Sequence, residues 1–220
     1  MKRFSKLNWL FAALLFCSIS QSVFSQTLNE FFNNSELHLT YLGIDYTKAK
    51  LINDPAANTF DIRNRLYTSI NNLIVTESKK YDISAAFRKS NFSSDLTAVK
   101  AKNEKINAED ITSNNSEDFN RLKESDISAV AKGLSLSGKT GIGLLFVVEG
   151  MKKAGAGGEA SVWVVLMDLK SKKVLMTERF ETKAKGFGFR NLWASPIKNI
   201  IDMVEKSKYK EWKEKNGTNN

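Results

Sequence analysis

Residues 141–183 read GIGLLFVVEG, MKKAGAGGEA, SVWVVLMDLK, SKKVLMTERF and ETK in consecutive blocks. Leu144 to Val148 is an unbroken apolar run, bounded by Gly143 and Gly150 and too short for a free-standing helix. A run of that length reads as a strand buried on both faces. Ser161 to Leu169 repeats the pattern with Val162, Trp163, Val164, Val165, Leu166 and Met167. Small residues from Ala154 to Gly158 make the turn between them. The polar run Asp168 to Lys173 precedes a third strand that alternates. Val174, Met176 and Phe180 point one way, and Thr177, Arg179, Glu181 and Lys183 the other, toward water. Spacings this tight imply antiparallel neighbours, because a parallel crossover needs a longer connection. The expectation is three strands at the centre of one sheet.

Outward from this cluster, Leu37 to Tyr46 (LHLTYLGIDY) alternates as a first strand, and Asn53-Asp54-Pro55 breaks the chain. Phe60 to Ser78 reads as helix, with Ile62, Leu66, Ile70 and Leu73 on one stripe. Tyr81 to Lys89 is a second, short helix. Residues 91–115 are polar connection, with Leu96 to Val99 as an edge strand or part of a long loop. The helical period returns from Glu117 through Phe119, Leu122, Ile127, Val130, Ala131 and Leu134. After the three strands comes a Gly-aromatic corner, Lys185 to Trp193. Ser195 then serves as N-cap and Pro196 as first residue of a last helix, with Ile197, Ile200, Ile201 and Val204 on its buried stripe. That helix is expected to end near Glu211. Helices interleaved with strands and a closing meander give an α/β (α+β) fold: a single mixed sheet with a C-terminal three-strand meander and helices packed against it. No internal repeat or Pro/Ser-rich linker appears, so residues 26–220 read as one domain, with 26–35 and 214–220 expected to be flexible.

The chain has 220 residues, 42% hydrophobic and 26% charged, the composition of a folded domain. Residues 1–25 read as a secretory signal peptide. Lys2, Arg3 and Lys6 precede the apolar run Trp9 to Ile19, and Val23-Phe24-Ser25 supplies a cleavage site. Leu15-Phe16 before Cys17 does not suit a lipoprotein signal, so a lipid anchor is not expected. Loss of that segment would remove the one cysteine, and with it any disulfide or thiolate site. Net charge would fall from +9 to +6, because three bases and no acids leave. No later stretch is apolar enough to span a membrane. The expected address is the periplasm or beyond. An envelope protein or anionic surface component is an allowed partner. The bases are interspersed with acids, which reads as solvated surface, and nucleic acid is not expected as a partner.

Gly133 to Thr140 (GLSLSGKT) matches the phosphate-loop pattern letter for letter. That device needs a strand before it and a helix after it. Here the order is reversed, so the match reads as coincidence: a helix end at Gly133 and a turn at Gly138. His38 is the only histidine and reads as structural or solvated. No catalytic constellation emerges, and no cofactor or metal is implied. Asp45, Glu149 and Asp168 are acids at expected strand ends. Of these, Glu149 stands out because it closes an apolar run beside Gly150. The stretch Gly186 to Trp193 combines Phe187, Phe189, Arg190, Asn191 and Trp193, the composition of a recognition surface. Its plain alternative is a plug of aromatics under the last helix. The leading expectation is a non-catalytic exported binding or interaction module using Glu149, Phe187, Phe189, Arg190, Asn191 and Trp193. Two other readings stand beside it: a carboxylate-dependent hydrolase of cell-wall or glycan material, and a small-ligand carrier with an apolar cavity.

Taken together, Gly141–Gly150 and Gly186–Trp193 resemble an uncharacterised family of small secreted bacterial envelope proteins, which implies no nameable activity. In element order the chain is similar to the periplasmic α/β domains of the TolB amino-terminal and curli-secretion-channel type. The resemblance implies a strand-helix alternation followed by a hairpin like Asp168–Leu175 and then a helix, and carries over no functional residue.

Overall fold

The structure, a computed structural model, describes residues 28–217. The expected signal peptide lies outside them. The apolar run of residues 144–148 is the middle of strand β5, Ile142–Ala154, and its first ten residues are all buried. Both its edges are paired. On one side β6, Gly157–Asp168, runs antiparallel along its whole length, from Ile142 opposite Asp168 to Ala154 opposite Gly157. On the other side β1, Leu39–Asp45, runs parallel along Ile142–Val147, and β2, Lys50–Ile52, runs parallel along Gly150–Lys152. β1 and β2 therefore lie end to end, interrupted at residues 46–49. β3, Phe92–Ser94, adds to β1, and β4, Thr112–Ser113, adds to β2, both parallel. β7, Val174–Ala184, pairs only with β6. The seven-stranded sheet is mixed, as expected, but the meander is not its centre: β5 is central and β7 is an edge.

Side chains alternate between the faces of the sheet. Leu144, Phe146, Val148, Val162, Val164 and Leu166 face one core, with Tyr67, Ile70 and Ile74 of helix α3 (Tyr67–Thr76) and Ile197, Ile200 and Ile201 of a C-terminal helix. Leu145, Val147, Trp163, Val165 and Met167 face the other. That core is closed by Ala98 and Val99 of helix α5 (Thr97–Asn103) and by Ile127, Val130 and Ala131 of helix α6 (Glu124–Lys132). In this count α1 is residues 28–33, α2 is Thr59–Asp61, joined to α3 by a π-helical turn, and α4 is Ile83–Ala86.

Three local expectations are corrected. Leu96–Val99 is not an edge strand. The edge strand ends at Ser94, and the Asp95 carboxylate accepts from the Thr97 amide at 3.0 Å, which starts α5. The last helix does not open at Ser195-Pro196. α7 runs Gly188–Met203 and passes through a π-helical turn into α8, Tyr209–Asn216. Pro196 is inside α7 and cannot donate to the Leu192 carbonyl. The Ser195 hydroxyl donates to that carbonyl instead, at 2.9 Å, and accepts from the Lys185 amide at 2.8 Å. The residue read as an N-cap thus repairs a break within the helix.

The third correction concerns the termini. Residues 28–33 are helical rather than a loose lead-in, and Phe31 and Phe32 are buried. Residues 214–216 belong to α8. Asn29 and Asn33 donate to the Gly217 carbonyl at 2.9 and 2.7 Å, and the Tyr209 hydroxyl donates to the Phe32 carbonyl at 3.1 Å. Lys89 pins the same corner. Its ammonium lies 4.1 Å from the Phe31 ring centroid and donates to the carbonyls of Phe31 and Asn34.

Burial, helped by the nearby Lys213 charge, pulls the Lys89 ammonium down to about 8 from an ordinary 10.5. Between those values the unfolded chain binds the extra proton, so raising the pH favours the folded state. Above about 10 the buried Tyr41, Tyr46 and Tyr67 act oppositely, because burial raises their pKa values and only the unfolded chain ionises. The melting temperature should therefore carry a rising contribution from pH 8 to about 10 that Lys89→Met removes. Parallel melting profiles for the two proteins would contradict this assignment.

Candidate functional site

The glycine-aromatic stretch becomes the amino end of α7. Gly186 has a φ of +151°, and a Cβ there would come within 2.8 Å of the Asn191 backbone. Glycine lets the turn close against the first turn of the helix. This places Phe187 at the N-cap, where no side chain caps the helix. Phe187 is 95% exposed. A pocket of about 420 Å³ opens beside it, lined by Phe187, Phe189, Leu192 and Trp193, with Lys153 and Asp54 at its border. The half-buried Phe189 meets Trp193 edge-on, with centroids 6.3 Å apart. Trp193 is only 3% exposed, and its indole N–H is buried with no hydrogen-bond partner among the described residues. A buried donor without an acceptor carries a desolvation cost.

The aromatics of this stretch divide by residue between core and surface. Leu192 and Trp193 belong to the core, and Phe187 does not. Arg190 and Asn191 are exposed on α7 and lie outside the pocket lining. Asn191 donates to the Phe187 carbonyl at 3.2 Å.

Glu149 is not brought to this pocket. It is within β5 rather than at a strand end, at a break in register where Val148 pairs with Val162 and Gly150 with Ser161. Alternation from Val147 puts its carboxylate on the face that holds Trp163, whereas Trp193 belongs to the core on the opposite face. Glu149 is fully buried. Its carboxylate accepts from the Trp163 indole at 2.9 Å, the Ser161 hydroxyl at 3.2 Å and the Leu122 amide, with the Arg179 guanidinium at 3.7 Å. Gly150 beside it has no room for a side chain: a Cβ would lie 2.8 Å from the Cα of Phe119. Together these two residues clamp the segment leading into α6 directly onto β5.

Asp45 ends β1 and is also fully buried, bound to the Lys102 ammonium at 2.8 Å and the Thr47 amide at 2.8 Å. Asp168 ends β6 and accepts from the Ser171 amide at 2.6 Å, capping the turn into β7. The His38 Nε2 is 2.9 Å from the Ser93 hydroxyl, where β1 meets β3. In the stretch 133–140, Gly133 caps the end of α6, Gly138 turns with φ +76°, and β5 follows. Lys139 is engaged by Asp95, whose carboxyl that bond lowers to about 2. The arrangement is the reverse of a phosphate loop. Sequence reading missed Lys102, Arg121 and Arg179, each of which reaches partners 28 to 73 residues away that leave no local signal.

No protein-family model matches the chain, and no curated protein matches it. Among solved structures it is similar to lipoprotein GNA1162 of Neisseria meningitidis, with 12% identity over 78% of this chain and 98% of that one and a TM-score of 0.31. It is also similar to a Helicobacter pylori homolog of the neuraminyllactose-binding hemagglutinin, with 9% identity over 82% and 89% and a TM-score of 0.32. At TM-scores this low the likenesses carry no argument about mechanism or partner. Neither supports the resemblance to the TolB and curli-channel domains. No helix among the described residues is long and apolar enough to cross a membrane.

Removing one partner of a buried charge network leaves the others unsatisfied, at a cost of about 3 kcal/mol or more. Glu149→Ala should lower stability by that amount in chemical denaturation, and Glu149→Gln, which keeps an acceptor for Trp163, should lower it less. Unchanged stability in Glu149→Ala would contradict the clamp.

Proposed function

We propose that this chain is a non-catalytic binding module of the cell envelope that grips a protein partner through the pocket at the amino end of α7. The observation that carries the reading is Phe187, a large aromatic left almost wholly in water beside an aromatic-walled pocket. Large aromatics at a pocket rim are the residues on which binding energy concentrates. The partner would seat an apolar side chain against Phe187 and Phe189. The envelope address rests on the charged-then-apolar segment 1–25. The two buried carboxylates are held by structural donors, which favours a structural use for them over a hydrolytic one.

Phe187→Ser should leave the melting temperature nearly unchanged, since substitutions at exposed sites usually stay within about 0.5 kcal/mol. Trp193→Ala should cost about 3 kcal/mol or more by opening the core, and so cannot serve as the test. In paired pull-downs from an envelope extract, a protein retained by the native chain should be lost with Phe187→Ser. Identical captured proteins for the two baits would count against the pocket.

A further inference from the structure

A second cleft, of about 520 Å³, opens where the sheet is interrupted between β1 and β2. Its wall includes Lys48 and Lys50 from the interruption, Lys102 and Lys105 from α5 and the turn after it, and Arg121 from the segment before α6. Asp110 is the one acid in the lining. Only Lys102 is closely neutralised, by Asp45. Lys48, Lys50 and Lys105 form no ion pair among the described residues. Lys50 donates to the Asp110 carbonyl rather than to a carboxylate. Arg121 is fixed by three carbonyls, those of Asp118, Glu149 and Lys48, and its nearest carboxylate is 3.9 Å away. The bases that look interspersed with acids along the sequence outnumber them here, five to one in the lining.

We infer that this cleft is a binding site for a multiply charged phosphate group. Concentrated like charge in a walled cleft raises the local concentration of counter-ions. Three lysines without a counter-charge suit a dianion better than a monoanion. Lysine is a compact point donor that meets a tetrahedral oxyanion from any side, whereas a planar carboxylate is best met by the arginine fork. The place in the fold is also apt: ligands of open α/β sheets gather outside the carboxyl ends of parallel strands, and the cleft opens at the carboxyl end of β1. The cleft is larger than a phosphate, so the group arrives on a body, either a soluble sugar phosphate or a phosphorylated lipid. This site is distinct from the α7 pocket and does not depend on it.

The test is calorimetric titration of the full chain with inorganic pyrophosphate at low salt. Binding should be saturable and one to one, and should fall as salt rises. Lys48→Ser/Lys105→Ser, which removes two solvent-facing charges, should weaken it about tenfold with an unchanged melting temperature. Lys170→Ser/Lys172→Ser, beside the loop 135–140, should leave it intact. Glucose 6-phosphate and phosphatidylcholine vesicles containing phosphatidic acid separate the sources. Competition by the sugar phosphate alone assigns a soluble ligand. Vesicle co-sedimentation lost in Lys48→Ser/Lys105→Ser assigns a headgroup. Absence of saturable pyrophosphate binding, or binding indifferent to Lys48 and Lys105, overturns the inference.

Discussion

The structure depends on ten consecutive residues of one strand having no solvent face. From Ile142 to Met151, β5 has strands along both edges and is covered on both sides, so the groups it carries there must find their partners inside the protein. For most of its length that is simple, because the side chains are aliphatic and two layers of helix cover them. The exception is Glu149. A buried carboxylate is tolerated only when its oxygens are satisfied, and three donors with a nearby guanidinium meet that requirement. Those donors come from β6, β7 and the segment before α6. The cost of burying one charge therefore ties three otherwise separate parts of the chain to the central strand.

The same strand explains where the two candidate sites lie. Because its middle is closed, access is left to its surroundings. One opening lies at the α7 corner, where the chain leaves β7. The other lies at the gap between β1 and β2. The interruption at residues 46–49 and the extra residue at Glu149 occur at the same level of the sheet, on neighbouring strands. Arg121 touches both, donating to the carbonyls of Lys48 and Glu149. The cleft and the buried clamp are thus joined by one side chain.

What could be read from residues alone follows from the range of the forces involved. The apolar runs of β5 and β6 and the alternation of β1 are local patterns, and they were legible. So was α6 ending at Gly133, where a helix end has its own chemistry. Pro196 misled because its usual meaning, a helix start, is a local rule, and the repair by Ser195 depends on the Leu192 carbonyl and on a turn closed by Gly186. Residues 28–33 are too short to show a helical period, and they become helix against α8, at the far end of the chain. The aromatic corner was legible by composition. Which of its rings would face water was not, since burial of Trp193 is decided by β6: a Cβ at Gly158 would lie 3.1 Å from its ring. The basic cleft left no trace, because its five cations come from three separated segments.

Amide hydrogen exchange, resolved by residue, probes the claim that β5 is the last part of the sheet to open. Amides of Leu144 to Val148 should exchange only through global unfolding, with the highest protection in the chain, while the outward-facing amides of the edge strand β7 exchange through smaller openings. Protection in Leu144–Val148 that falls below that of β7, or that is lost without global unfolding, would contradict the account.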